Sequence, residues 1–167
     1  MTKRRNSASA AGRTTRVVYA AEHSVGHQVR QTHRALQRAL EARIRPYGIT
    51  LGMWYFLRVL WEEDGLNQRA LSVRAGTAEP TTVAALHAME RRGLVVRVQN
   101  RDDRRKSNIF LTKPARELRN LLLPEARAVN RIATAGLSAA QIAALKRILI
   151  RLRTNLAAAR DSGATNA

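Results

Sequence analysis

Apolar positions early in the chain recur every three to four residues. Val29, His33, Leu36, Leu40 and Ile44 fall on one face of a helix predicted over residues 17–45. Pro46 and Gly48 end that pattern, and Thr50 caps a second helix, LGMWYFLRVLWEE, which stops at Asp64-Gly65. Two shorter helices follow. Asn67 caps QRALSVRA, and Gly76 suits the positive φ needed just past its end. Thr77 is the expected cap of the fourth helix, where Pro80 is tolerated because the first turn needs no N–H donor. Val83, Leu86 and Met89 form the buried face of that helix, and Gly93 ends it. The period then changes from helix to strand. Leu94, Val96 and Val98 alternate with Val95 and Arg97, and beyond a charged tip Ile109 and Leu111 alternate with Phe110. Two short half-buried runs of this kind predict a β-hairpin packed on helices. Residues 113–134 are helical again through Leu118, Leu121, Leu122, Val129 and Ile132, with a kink or local break expected at Pro124. Gly136 ends that helix, and Ser138 caps the last one, whose stripe is Ile142, Leu145, Leu149, Leu152 and Leu156.

This order of elements points to a purpose. Two short helices meet at Gly76, and a hairpin beside them carries Arg101, Arg104, Arg105 and Lys106 at its tip. A helix able to enter a groove, flanked by a basic hairpin, fits DNA binding well and catalysis poorly. Composition agrees. Net charge is +18 and the pI is near 11.8, which predicts a polyanionic partner. Charge alone decides little, since a basic surface also serves solubility or a membrane-surface patch. No apolar run approaches the roughly 20 residues that span a bilayer, and no apolar segment follows the basic N-terminus as in a secretory signal. The expected location is cytoplasmic, with no membrane partner.

Candidate chemistry is sparse. There is no Cys, which excludes disulfides, thiolate zinc sites and thiol redox sensing. His23 and His27 have i, i+4 spacing, yet no third ligand is identifiable and there is no HExxH, so no metal site is expected. The chain also lacks a GxSxG nucleophile motif and a phosphate-cradling Gly-rich loop. The reading is no enzyme and no cofactor.

The long first helix and the last two surround the short ones in sequence, and all carry wide apolar stripes. One small chain cannot easily bury them all. Pairing two copies would do so, and two-fold symmetry would place two reading helices about one DNA turn apart. A homodimer on a palindromic operator is therefore expected.

Residues 48–116 resemble the MarR family of winged helix-turn-helix transcriptional regulators. The pieces that carry the resemblance are GITLGMWYFLRVL, NQRALSVRAG, PTTVAALHAMERRGLVVR and DDRRKSNIFLT. Helices on either side are similar to the family's dimerisation layer, extending the likeness over roughly residues 17–160. One departure is Ala115 after Pro114, where the family often has Gly. The resemblance implies a mainly α fold with a small β-hairpin wing. It divides the chain into a disordered basic arm (1–16), a helical dimerisation layer (17–62 and 113–160), a winged helix-turn-helix lobe (63–112) and a disordered tail (161–167).

The resemblance also implies roles. The fourth helix, Glu79 to Arg92, would lie in the major groove, with Thr81, Thr82 and Ala85 facing bases or phosphates and His87 close by. Arg104 or Arg105 would enter the minor groove, with Asp103 orienting Arg105. Arg74, Arg91, Arg92 and Lys106 are phosphate candidates, and Arg101 shares the wing tip. Many members are repressors released by a small anionic or aromatic molecule, possible chemistries being a phenolic acid or an acyl thioester. Here His33, Trp54, Arg58 and Trp61 would line that effector site, between the first, second and fifth helices. The residue-level reading leaves a plainer alternative, with both tryptophans in the core and His33 a satisfied buried histidine. Two function classes follow: a ligand-responsive, site-specific regulator, or a sequence-tolerant architectural or RNA-associated basic protein.

Overall fold

A computed structural model describes residues 24–100 and 107–164. The chain divides within its first helix into a unit ending at Arg34 and a larger unit from Ala35 onward. Six α-helices and three short strands account for most of the described residues. In order they are α1 (Val25–Ile44), a 3₁₀ turn (Arg45–Tyr47), α2 (Leu51–Glu62), β1 (Leu66–Asn67), α3 (Gln68–Ala75) and α4 (Glu79–Arg91). After these come β2 (Val95–Gln99), β3 (Ser107–Leu111), α5 (Lys113–Ala133) and α6 (Ala139–Ala164). The fold is mainly α with a winged helix-turn-helix at its centre.

Most helix ends follow local chemistry. Thr50 Oγ1 accepts from the Met53 amide and Asn67 Oδ1 from the Ala70 amide, each satisfying a first-turn N–H that has no helical partner. Gly76 closes α3 at φ 66°, as its position required. Ser138 and Gln141 form a reciprocal capping box at the start of α6: the Gln141 amide donates to Ser138 Oγ and the Ser138 amide to Gln141 Oε1.

Four expectations change. The cap of α4 is Ala78, without a side-chain bond, because the Thr77 hydroxyl is turned to Thr82. Helix α5 runs unbroken through Pro124, which removes one N–H from the ladder without ending it. Helix α6 continues to Ala164, beyond the point where a disordered tail was expected. The hairpin gains a third strand, giving the antiparallel order β1-β3-β2 with Leu66 opposite Ile109 and Val95 opposite Leu111. At two residues, β1 is too short to show any alternation.

The core lies between α2, the two short helices, the sheet and α5. Phe56, Leu57 and Leu60 of α2 pack with Leu71, Leu86, Met89, Ile109 and Leu122, all essentially inaccessible to solvent. Trp54 belongs to this core. The outer helices contrast sharply with it. Among the described residues, none of α6 is buried, and Leu145, Leu149 and Leu156 of its stripe are exposed. Val25 and Val29 at the start of α1 are exposed too.

Candidate nucleic-acid interface

Helix α4 sorts its residues sharply between two faces. Thr82, Leu86 and Met89 are buried, one helical turn after another. Thr81, Ala84, His87 and Arg91 are exposed, as is Glu79 in the first turn. This outward face is built mostly of short side chains and ends in a cation. It leaves room for close approach to a large flat or grooved partner.

Two expected reading residues move to the other side. Thr82 is fully buried: its hydroxyl accepts from Ser72 Oγ at 2.8 Å, lies 2.9 Å from Thr77 Oγ1 and reaches the Ala78 carbonyl at 3.2 Å. The Ser72 hydroxyl sits 3.0 Å from the Gln68 carbonyl. This buried hydroxyl chain joins α3 to α4 and fixes how α4 is presented. Thr82 therefore supports the interface from behind and touches nothing outside. Ala85 is half-buried against the core, and the exposed small residue is Ala84, one position earlier. Residues one apart on a helix differ by about 100°, so the buried Leu86 fixes which alanine faces out.

A second clamp joins α4 to the sheet. Arg97 Nε on β2 donates to Glu90 Oε1 of α4 at 2.9 Å, and its Nη1 to Gln68 Oε1 at 3.3 Å. Arg97 Nη2 is buried with no partner among the described residues. The other Glu90 oxygen lies 3.7 Å from His87 Nδ1. Sequence reading passed over Arg97 as one of several strand residues. The only available signal was its place at an inward position of a strand beside an acid on the preceding helix.

A third clamp is Asp64, at the α2–β1 junction. Its Oδ1 accepts from the Gly65 and Leu111 amides, and its Oδ2 from Arg116 of α5 at 2.9 Å. Gly65 makes this possible: at φ 78°, an added Cβ would sit 2.7 Å from the Phe110 ring. One carboxylate thus ties the end of α2, strand β3 and the start of α5 together.

Arg74 is engaged by Glu63 and, at 3.8 Å, by Glu62. Arg91 and Arg92 are exposed. Arg101, Asp103, Arg104, Arg105 and Lys106 lie outside the described residues, as do the 1–16 arm and His23.

The expected effector residues do not form one site. Trp54 and Trp61 meet edge to face, with ring centroids 5.8 Å apart, and Arg58 lies 5.9 Å over the Trp54 ring. Yet Trp54 is buried and lines neither opening. Arg58 is exposed and paired with Glu62, beside a groove of about 230 Å3 shared with Tyr55 and Arg74. Trp61 lines a different cleft, of about 460 Å3, with Leu60, Glu62, Asp64, Leu111, Arg116, Arg119 and Asn120. Its indole N–H is already spent on the Ala115 carbonyl at 2.9 Å. His33 is exposed on the N-terminal half of α1, which removes the reading of a buried histidine. Among the described residues, no three His, Asp or Glu side chains gather as a metal site, and no helix is long and apolar enough to cross a membrane.

Comparison with known proteins places this arrangement. The MarR family model matches residues 49–107. The HTH-type transcriptional regulator TtmR of Methylorubrum extorquens is 32% identical over 102 residues, 61% of this chain and 47% of that protein. The homoprotocatechuate degradative operon repressor of Escherichia coli is 34% identical over 77 residues, covering 46% and 52% of the two chains. The chain thus spans about half the length of these relatives. A MarR transcriptional regulator from Methanosarcina mazei has a similar structure, with a TM-score of 0.72 at 27% identity, over 79% of this chain and 96% of that one. The matched segment holds α2 to β2 and includes Asp64, Ser72, Thr82, Glu90 and Arg97, on which the three clamps are built. Family model, sequence relatives and fold agree that the chain is similar to the MarR family of transcriptional regulators.

Proposed function

We propose that the protein is a homodimeric regulator that binds a palindromic DNA site and represses transcription there. One observation carries this reading. Helix α4 presents Thr81, Ala84, His87 and Arg91 outward, while the hydroxyl chain holds it to α3 and the Arg97–Glu90 pair holds it to the sheet. A rigidly held helix with short exposed side chains suits insertion into a major groove. In this reading residues 63–112 are the DNA lobe, and Glu79, Arg101, Asp103, Arg104, Arg105 and Lys106 complete the surface. The segments 17–62 and 113–160 form the dimer layer, supported by the unburied stripe of α6. Repression is favoured by the operon-repressor name of the Escherichia coli relative.

The finer part of the proposal is release by a small aromatic anion. The cleft beside Trp61 suits such a molecule better than the set first expected. It offers the Trp61 indole, the apolar Leu60 and Leu111, and the cations Arg116 and Arg119, set against the acids Glu62 and Asp64. Arg116 is already tied to Asp64, and Arg119 has no ion pair among the described residues. Arg119 is therefore the anchor assigned to a carboxylate.

Site variants test the DNA reading. Arg91→Ala should weaken specific and random duplexes alike and lower the salt slope by about 0.9. Thr81→Val should weaken only the specific site, by roughly fivefold, about 1 kcal/mol. Thr82→Val should lower thermal stability by roughly 1–3 kcal/mol, since it strands buried hydroxyls, without changing sequence preference. Equal losses on both DNAs for Thr81→Val and Arg91→Ala would instead favour a sequence-tolerant binder.

A further inference from the structure

The net charge of +18 is not concentrated on the lobe that holds α4. Residues 63–112 carry nine Lys and Arg against six Asp and Glu, whereas residues 113–167 carry ten against three. Helix α6 alone has Lys146, Arg147, Arg151, Arg153 and Arg160, with Asp161 as its single acid. Within the central lobe, Arg74 and Arg97 are bound to acids of the fold. Lys146, Arg147, Arg151, Arg153 and Arg160 have no ion pair among the described residues, and all five are exposed. So many like charges on one helix repel one another, which is unfavourable unless something outside neutralises them.

The helical positions sort these cations. At about 100° per residue, Ile142, Leu145, Leu149, Leu152 and Leu156 form one stripe. Arg147 and Arg151 lie close to the opposite side, one turn apart. Small residues accompany them there: Ala140, Ala144, Thr154 and Ala158. If the stripe is covered by a second copy, Arg147 and Arg151 still face outward, with small residues between them and the exposed Ile148 and Ile150 at the margins.

We propose that this face of α6 is a second DNA-contacting surface, holding the phosphate backbone of a duplex segment other than the one read by α4. The chemistry of the face selects this partner. A membrane surface would need one continuous apolar face beside the cations, whereas the exposed Ile148 and Ile150 flank them on opposite sides, about 160° apart. Single-stranded nucleic acid would need aromatic stacking platforms, and α6 contains no aromatic residue. An acidic protein would need an apolar anchor at the centre of its interface, and at the centre of this face there are only Ala and Thr, with Ile148 and Ile150 at its margins. A duplex backbone needs only cations and close approach, at one charge per roughly 1.7 Å of axis. The DNA so held would be flanking sequence wrapped past the operator, or a second duplex bridged to it.

This proposal uses the reading of α4 only for the order of assembly. The test compares the full-length protein with an Arg147→Gln/Arg151→Gln variant. Both positions are exposed, and Gln is a good helix former, so the helix should persist by circular dichroism. Binding of a random-sequence duplex is measured from low to physiological salt. The slope of log affinity against log salt should fall by about 1.8 for each chain engaged, since each phosphate left without its cation removes about 0.9. In a second arm, protein saturated with an immobilised duplex should capture a labelled second duplex, and the variant should lose at least tenfold of that capture. An unchanged slope with equal capture would overturn the proposal. So would preferential capture of duplex RNA or of anionic vesicles. If instead α4 did not read DNA, Arg91→Ala would leave the slope untouched while the α6 variant still lowered it.

Discussion

Asp64 binds the Leu111 amide of the wing strand with one oxygen and Arg116 of α5 with the other, and the cleft beside Trp61 opens next to it. An anion that draws Arg116 away would loosen the hold of Asp64 on β3, which leads into the hairpin. That is a physical route from effector to DNA lobe, requiring only that the ligand favours the loosened state. A panel of aromatic carboxylates should therefore change tryptophan fluorescence and release bound DNA at matching concentrations. Arg119→Ala should raise the required concentration at least tenfold, about 1.4 kcal/mol, within the range for a charged hydrogen bond. The absence of any fluorescence change and any DNA release across the panel would reject the effector site. At this scale the sequence was least informative. Whether Thr82 or Ala84 faces out depends on which residues α3 and α2 bury. Spacing placed Leu86 and Met89 inside correctly, yet a threonine and a serine ten residues apart gave no sign of a buried hydroxyl chain. The aromatic cluster misled in a related way: Trp54 and Trp61 do touch, but only the second reaches an opening.

Elements were far more legible than side-chain roles, because caps and periodicity are local. Asn67, Gly76, Thr50 and Ser138 each act at the terminus where their chemistry placed them. What escaped was set by tertiary context. Strand β1 forms because Leu66 and Asn67 find β3 alongside, and α5 survives Pro124 because packing of Leu122 and Val129 holds both halves. The most consequential element is α6, 26 residues long and, among the described residues, without a buried side chain. A helix with an exposed leucine stripe needs a partner to cover it, and a second copy provides the symmetric solution. Sedimentation should therefore show a dimer of the 18.6 kDa chain at micromolar concentration. Leu145→Glu/Leu149→Glu should give monomers whose single lobes still fold, since neither residue is in the core. Losing the linkage between half-sites should weaken operator binding by roughly 10²-fold or more. A wild-type monomer, or a variant that stays dimeric, would contradict this assignment of the dimer layer.

For the whole molecule, charge and shape have separate tasks. Net charge supplies attraction to any polyanion, and residues 113–167 hold much of it. In the proposed reading, discrimination between sequences comes from α4, whose lobe has a smaller charge excess and a firmly held presentation. A protein with so large a basic excess will bind random DNA measurably, so affinity alone cannot demonstrate regulation. The decisive quantity is a ratio. Genomic fragments would be selected on the full-length protein, and one selected duplex titrated against its scrambled version at physiological salt with excess competitor DNA. The account predicts a discrete complex preferring the selected duplex by about 10³ or more. A ratio near one for every selected fragment would contradict it, leaving a basic protein that binds DNA without reading it.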